Sequence, residues 1–157
     1  MTELKRLRTS NNATQEYCAK ICGISIRSYK DYENNPKKNE SVKYKYILSE
    51  LSKHFEVNED KGILSVEEIT QKCAKVFENY HIEYCYLFGS YAKNCAKEAS
   101  DIDLFISPTI TGLEFFELAE KLRESLHKRI DLLTPDQLKD NPTLADEIFK
   151  TGVKIYE

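Results

Sequence analysis

The feature that most constrains this chain is a hexapeptide with aspartates at alternate positions, Asp101-Ile102-Asp103-Leu104-Phe105-Ile106. In a β-strand, side chains two apart point to the same face, so both carboxylates would project together while Ile102 and Leu104 face a core. Aspartate is disfavoured in strands, and neighbouring carboxylates repel each other. A hard divalent cation removes that conflict, because carboxylate, phosphate and water oxygens form the octahedron that magnesium prefers. The hexapeptide therefore predicts a strand that binds Mg²⁺.

A second segment upstream predicts a seat for phosphate. The apolar run Tyr84–Phe88 has the pattern of a strand buried on both faces, and it ends at Gly89-Ser90, with ten residues between Ser90 and Asp101. Glycine lets backbone amides approach a phosphate closely, and a helix beginning at Ser90 would point its positive end there. Lys93, on the first turn of that helix, would add a cation. Together the two segments predict a nucleoside triphosphate site.

The remaining elements of this half predict an α+β arrangement with helices on a short, mixed sheet. Ser65 and Glu68 form a capping box at the start of an amphipathic helix, and Leu113–Leu126 has the pattern of another helix. Arg129–Leu133 reads as a third strand. Its Asp131 would supply a third carboxylate and complete a two-metal site.

The first half of the chain predicts four helices and no strand. Leu4 and Leu7 indicate a short opening helix, and the next three helices should begin after hydroxyl caps. These caps and the predicted starts of their helices are Thr14 before Gln15–Ile21, Ser25 before Ile26–Glu33, and Ser41 before a helix that carries Tyr44, Ile47, Leu48, Leu51 and Phe55 at helical spacing.

Charge separates the two halves. Residues 1–57 carry eleven Lys and Arg against seven Asp and Glu, a net +4, so an overall charge of −3 leaves −7 on the remainder. We predict a helical domain over residues 1–58 and an α+β domain over residues 63–157, with different partners. Apolar runs are too short to cross a membrane, and five cysteines without a CxxC pair suggest reduced thiols, most of them buried. We expect a soluble, cytoplasmic protein.

The amino-terminal half resembles the Xre/Cro family of helix-turn-helix DNA-binding domains. The motifs that carry the resemblance are Thr14-Gln15-Glu16, Ala19, Gly23-Ile24-Ser25, Tyr29 and Tyr32-Glu33-Asn34. The resemblance implies DNA contacts by Gln15, Arg27, Ser28 and Lys30. Arg27 is the candidate base reader, because a guanidinium can bond both major-groove acceptors of guanine, and the helix-turn-helix docks its second helix in that groove.

Some residues near the predicted recognition helix shape that expectation. Lys37 and Lys38 are candidates to contact phosphates. Asp31 departs from the family pattern, which often has a polar or basic contact residue at this position, and phosphate would repel its carboxylate. A helical bundle used only for dimerisation is the alternative for this half, and the sequence leaves open whether the chain forms a homodimer.

The carboxy-terminal half resembles the DNA polymerase β-like nucleotidyltransferase superfamily, and within it the minimal nucleotidyltransferases. The resemblance implies that Asp101 and Asp103 bind two Mg²⁺ ions, that Gly89 and Ser90 hold the triphosphate of ATP, and that Asp131 helps to deprotonate the attacking hydroxyl. One departure is that the turn Gly89–Asn94 lacks the arginine and glycine that this family often has near its end.

The resemblance also implies a biological role. Minimal nucleotidyltransferases often act as antitoxins that transfer AMP from ATP to a tyrosine of a HEPN toxin, and the DNA-binding module would act on the protein's own promoter. Only about 25 residues follow the third predicted strand, which favours an acceptor on a partner protein. The alternatives are a transcriptional regulator that uses the nucleotidyltransferase fold for nucleotide sensing or dimerisation, a small-molecule (antibiotic) nucleotidyltransferase, and self-adenylylation at an accessible Tyr91.

Overall fold

The computed structural model describes the whole chain, Met1–Glu157, which divides into two compact units, Met1–Glu56 and Val57–Glu157. We describe each unit by itself. No helix in either unit is both long and apolar enough to span a membrane.

The first unit consists of four α-helices, as the sequence predicts, and one short 3₁₀ turn, Pro36–Lys38, which was not predicted. The helices are α1 Glu3–Ser10, α2 Gln15–Ile21, α3 Ile26–Asn34 and α4 Val42–His54. The predicted caps are confirmed, because the hydroxyls of Thr14, Ser25 and Ser41 each accept a hydrogen bond from a backbone N–H three residues further on. Each cap satisfies one of the N–H groups that a helix leaves unpaired at its start.

The core of this unit is formed by one apolar stripe from each helix. Leu4 of α1, Cys18 of α2, Tyr29 of α3, and Ile47 and Leu51 of α4 are all completely buried. Leu48 and Phe55 pack against this core, which confirms the apolar face predicted for α4.

A buried ion pair ties three of these helices together. Glu33 of α3 is only 1% exposed, and Arg8 of α1 donates to both of its carboxylate oxygens, with Nε 2.8 Å from Oε2 and Nη2 2.9 Å from Oε1. Gln15 of α2 donates its Nε2 to Oε1 at 2.8 Å. Burial acts to raise the pKa of Glu33, but the hydrogen bonds from Arg8 and Gln15 outweigh it and leave the pKa below its ordinary value.

The second unit alternates helices with four short strands. Its elements are α5 Val66–Phe77, β1 Tyr84–Phe88, α6 Gly89–Ala92, β2 Ile102–Ser107, α7 Gly112–Leu126, β3 Ile130–Leu133, α8 Pro135–Leu138, α9 Pro142–Thr151 and β4 Val153–Tyr156. The capping box of Ser65 and Glu68 at the start of α5 is present. Strand β4 was not predicted from the sequence.

The four strands form one mixed sheet in the order β3-β2-β1-β4. Strands β2 and β3 are parallel, and β1 is antiparallel to both β2 and β4. The prediction of an α+β unit with a short mixed sheet is therefore confirmed.

The two faces of the sheet differ in how well they are covered. One face packs against α5 and α7 and forms the main core, in which Cys85, Leu87, Leu104, Ile106 and Leu122 are all inaccessible to solvent. The alternate residues of the strands point to the opposite face.

The opposite face carries only the four-residue α8 and the ten-residue α9. Phe88 and Phe105 are buried there against Ile148 of α9, whereas Tyr84 and Tyr86 are only half-buried. The prediction that β1 is buried on both faces is thus wrong for its tyrosines, because the second layer covers the sheet only in part.

Candidate active site

Two of the predicted carboxylates lie side by side at one edge of the sheet. In the parallel pairing of β2 and β3, Asp103 is directly opposite Asp131, so both side chains occupy the same face of the sheet. Asp103 is half-buried, and Asp131 is exposed to solvent. The strand register thus brings together residues 28 positions apart that the sequence could place only on separate strands.

Asp101 reaches the same region in a different way from the one predicted. Strand β2 begins at Ile102, so Asp101 precedes the strand instead of opening it. Its Oδ1 accepts a hydrogen bond from Nε of Arg129 at 3.0 Å, and the same guanidinium donates to the backbone oxygen of Ala99 at 3.1 Å. Because Arg129 immediately precedes β3, this contact fixes the start of β2 against the start of β3.

The turn after β1 touches the central carboxylate. Gly89 has a φ of +70°, in the left-handed region, and a Cβ atom placed on it would lie 2.1 Å from Oδ2 of Asp103. In the pairing of β1 with β2, Phe88 is opposite Asp103, which brings Gly89 into this position. The backbone can approach the carboxylate only because residue 89 has no side chain.

The charges around Asp103 make its ionised form unfavourable. Burial raises its pKa first, and the negative charges of Asp131, Asp101 and Glu147 raise it further, to about 6. Lys93 acts weakly in the opposite direction. A carboxylate in such surroundings would gain from any cation placed beside it.

The sequence prediction for Lys93 needs a correction. Helix α6 is a single turn, Gly89–Ala92, which begins one residue earlier than expected, and Lys93 caps its end instead of lying on its first turn. Nζ of Lys93 lies 2.6 Å from Oε1 of Glu147 on α9. In this structure Lys93 is therefore held by a carboxylate, and a triphosphate would have to draw it away.

Tyr91 is not an accessible acceptor. Its side chain packs in the main core and is only 3% exposed, so the hypothesis of self-adenylylation at Tyr91 is wrong in this conformation. Burial of the aromatic ring in the core removes its apolar surface from water.

Asp101, Asp103 and Asp131, with Glu147 nearby, form an acidic group. In this structure no set of three His, Cys, Asp or Glu side chains converges as closely as the ligands of a bound metal ion. The chemistry of the donors nevertheless fits a hard cation, because Asp103 lies among carboxylates whose charges oppose its own ionisation. The backbone of Gly89 lies directly against Asp103, so the Gly-Ser turn and the central carboxylate border the same place.

The predicted DNA contacts lie around α3 in the first unit. Arg27 and Lys30 are exposed, Ser28 is half-buried, and Arg27 and Ser28 line a shallow depression together with Ser25 and Asp31. Gln15 stands at the start of α2, where its amide is bonded to Glu33.

Asp31 is neutralised by an ion pair. Its carboxylate lies against Nζ of Lys38, which also sits 5.0 Å from the centre of the Tyr32 ring. Lys38, predicted to meet phosphate, is thus engaged within its own unit, and the repulsion expected between Asp31 and phosphate is reduced.

Two residues of the second unit were missed by the sequence reasoning. Glu147 lies on a distant helix and reaches the site only through tertiary packing, so no local pattern marked it. The role of Arg129 could have been predicted, because a cation directly before a strand that carries an aspartate is well placed to pair with a neighbouring carboxylate.

The second unit thus combines a four-stranded mixed sheet with a Gly-Ser turn beside carboxylates on two adjacent strands. The family described as Polymerase beta, Nucleotidyltransferase matches residues 71–157, which is more than half of the chain. The chain belongs to this family.

Several curated proteins are similar to the second unit. A Methanocaldococcus jannaschii protein that carries the provisional name protein adenylyltransferase is 37% identical over 81 residues, which are 50% of this chain and 94% of that protein. The protein adenylyltransferase MntA of Thermococcus cleftensis is 34% identical over 86 residues, covering 50% of this chain and 85% of MntA.

Solved structures also match part of the chain. A crystal structure of a toxin–antitoxin with AMP-PNP is 26% identical, covers 55% of this chain and 71% of its own, and has a TM-score of 0.47. A tri-AMPylated Shewanella oneidensis HEPN toxin in complex with MNT antitoxin matches at 25% identity over 57% of this chain and 70% of its own, with a TM-score of 0.44.

The close approach of Gly89 to Asp103 predicts an asymmetry between two glycines. Gly89→Ala and Gly112→Ala both force alanine into a left-handed φ, which costs about 1 kcal/mol, but only the first places a Cβ against another atom within 4 Å. We expect Gly89→Ala to lower the free energy of unfolding by about 1 kcal/mol or more beyond Gly112→Ala, measured by urea denaturation. An Asp103→Ala background should remove this excess. Equal losses for the two glycine variants would contradict the contact.

Proposed function

We propose that the second unit transfers the AMP of ATP to a hydroxyl of a partner protein, a tyrosine of a HEPN toxin, and that the chain acts as the antitoxin. The observation that carries the proposal is the meeting of Asp103 and Asp131 in register on adjacent strands beside the backbone of Gly89. The names of the curated relatives, which are called protein adenylyltransferases, support the choice of AMP and of a protein acceptor.

Each residue of the site has a distinct task in this reaction. Gly89 and Ser90 would hold the triphosphate through backbone amides, and Lys93 would leave Glu147 to pair with a phosphate oxygen. Asp101, Asp103 and Asp131 would hold two Mg²⁺ ions, whose charge would offset the negative charge that develops on the triphosphate. Arg129 would keep Asp101 oriented through the bond to its Oδ1.

The chemical step is an in-line displacement at the α-phosphorus. The acceptor oxygen forms a bond to that phosphorus while the bond to the bridging oxygen of pyrophosphate breaks. Asp131, which is exposed on the same face as Asp103, would accept the proton of the acceptor hydroxyl. The protein's contribution is mainly to position the reactants among fixed charges.

The proposal predicts complete loss of transfer in Asp103→Asn, because this variant removes the carboxylate at the centre of the acidic group. Wild-type protein would be incubated with ATP, Mg²⁺ and the product of the neighbouring gene, and intact-mass spectrometry would count adenylyl groups on that product. Asp140→Asn, an exposed aspartate in the loop after α8, is the matched control and should transfer normally. An active Asp103→Asn variant would refute the assignment.

The same experiment separates the proposal from its alternatives. Nucleotide binding without transfer to any protein would favour a regulator that uses the fold for nucleotide sensing. Transfer to an aminoglycoside and not to the protein would favour a small-molecule nucleotidyltransferase.

We further propose that the first unit binds DNA as a helix-turn-helix at the protein's own promoter. The geometry that supports this is a capped α3 with Arg27 and Lys30 exposed, next to a Gln15 at the start of α2. The pairing of Asp31 with Lys38 is compatible with it, because the lysine offsets part of the carboxylate charge that would repel phosphate. DNA binding by an antitoxin would suit autoregulation of its operon.

Loss of the Arg27 guanidinium should weaken binding to the promoter and relax its specificity. A bidentate contact to guanine contributes about 1–3 kcal/mol of discrimination, so we expect Arg27→Ala to weaken specific binding about tenfold or more in a fluorescence-anisotropy titration. Lys20→Ala removes the same charge from the carboxyl end of α2 and should change affinity far less. If both variants bind alike, Arg27 is not the base reader.

A further inference from the structure

The sheet face that carries the acidic group continues into an open aromatic groove. Its floor is made of Tyr84 and Tyr86 of β1 and Phe105 of β2, and its wall includes Ile148 and Phe149 of α9. The volume of this groove is about 560 Å³. We propose that the groove docks an apolar segment of the acceptor protein and delivers its hydroxyl to Asp131 and Asp103; this inference rests on the function proposed above.

The groove is continuous with the site of the reaction. Across the paired strands, Phe88 is opposite Asp103, and Tyr86 is opposite Phe105 in the next row of the same face. Phe105 follows Asp103 by two residues on one strand, which corresponds to about 7 Å. If a side chain of the acceptor protein packs on Phe105, the residues next to it in the acceptor can therefore reach the carboxylates.

The groove exposes apolar and aromatic side chains to which a partner protein could bind. Phe149 is 89% exposed on its wall, although its neighbour on the same helix, Ile148, is buried. Tyr84 packs edge-on against Tyr86, with ring centres 5.8 Å apart, and lies 6.1 Å from the ring of Phe105. Such a preformed aromatic floor offers the rigid anchors that are typical of protein interfaces.

The charged residues near the groove favour a protein ligand over a polyanion such as a nucleic acid. All three lysines between residues 135 and 157 are in ion pairs, Lys139 with Asp136, Lys150 with Asp146 and Lys154 with Glu157. A strand of nucleic acid or a triphosphate would meet a carboxylate beside each of these lysines, which weakens its attraction to this edge. In the function proposed above, the triphosphate binds at Gly89, which follows the end of β1 far from Tyr84. An uncharged, apolar segment of the acceptor is the occupant that these features fit.

Two variants with the same substitution test the proposal. Phe149→Asp places a charge in the groove, whereas Phe116→Asp places one on α7, which packs on the opposite face of the sheet and leaves Phe116 70% exposed. Both variants would be made in the inactive Asp103→Asn protein, and binding of the neighbouring gene product would be followed by calorimetry without nucleotide. We expect Phe149→Asp to weaken binding at least tenfold and Phe116→Asp to leave it unchanged.

Steady-state transfer with intact Asp103 provides the second readout. Phe149→Asp should raise the KM for the acceptor at least tenfold and leave the KM for ATP unchanged. If only the KM for ATP rises, the groove binds the adenine base of ATP. If only self-association of the chain changes, the groove binds a second copy of the chain. Either result overturns the proposal, and so does unchanged binding of the acceptor. If the wild-type protein transfers AMP to no protein, both the proposed function and the groove proposal are wrong. If Phe149→Asp transfers AMP normally, only the groove proposal is wrong.

Discussion

A half-buried carboxylate among other carboxylates opposes folding, and Asp103 is such a group. Burial and the charges of Asp131, Asp101 and Glu147 raise its pKa to about 6. Natural proteins keep unfavourable arrangements of this kind at functional sites, where a ligand relieves them. The architecture of the second unit can be understood as the support that holds Asp103 in place despite this cost.

That support comes from elements on both sides of the sheet. The main core fixes β2 through the buried alternates Ile102 and Leu104, so Asp103 between them must face the other way. Gly89 then lies against the carboxylate, which a side chain at that position would prevent. The thin second layer, α8 and α9, leaves much of the face that carries Asp103 open. The reactants can therefore reach this face, and the aromatic groove lies on it as well. Stability and access are thus assigned to opposite faces of one small sheet.

Local chemistry explains what could be predicted from the sequence. Hydroxyl caps such as Ser25 and Ser65 act within one turn, and the alternation of Ile102, Asp103 and Leu104 encodes a strand face over a few residues. The pairing of Lys93 with Glu147, the burial of Tyr91 and the existence of β4 depend on packing between distant segments, for which no short pattern exists. The open face of β1 was missed because Tyr84–Phe88 is apolar throughout, and apolarity alone does not say how much of a strand the next layer covers.

The central claim is that Asp103 and its neighbours form a site for a divalent cation and a nucleotide. The most direct measurement is electron paramagnetic resonance of Mn²⁺ titrated into the protein with AMP-PNP, compared between the wild type, Asp103→Asn and the distant Asp140→Asn. Our account predicts nucleotide-dependent Mn²⁺ binding in the wild type and Asp140→Asn, and affinity at least tenfold weaker in Asp103→Asn. Equal Mn²⁺ affinity in all three proteins would contradict it.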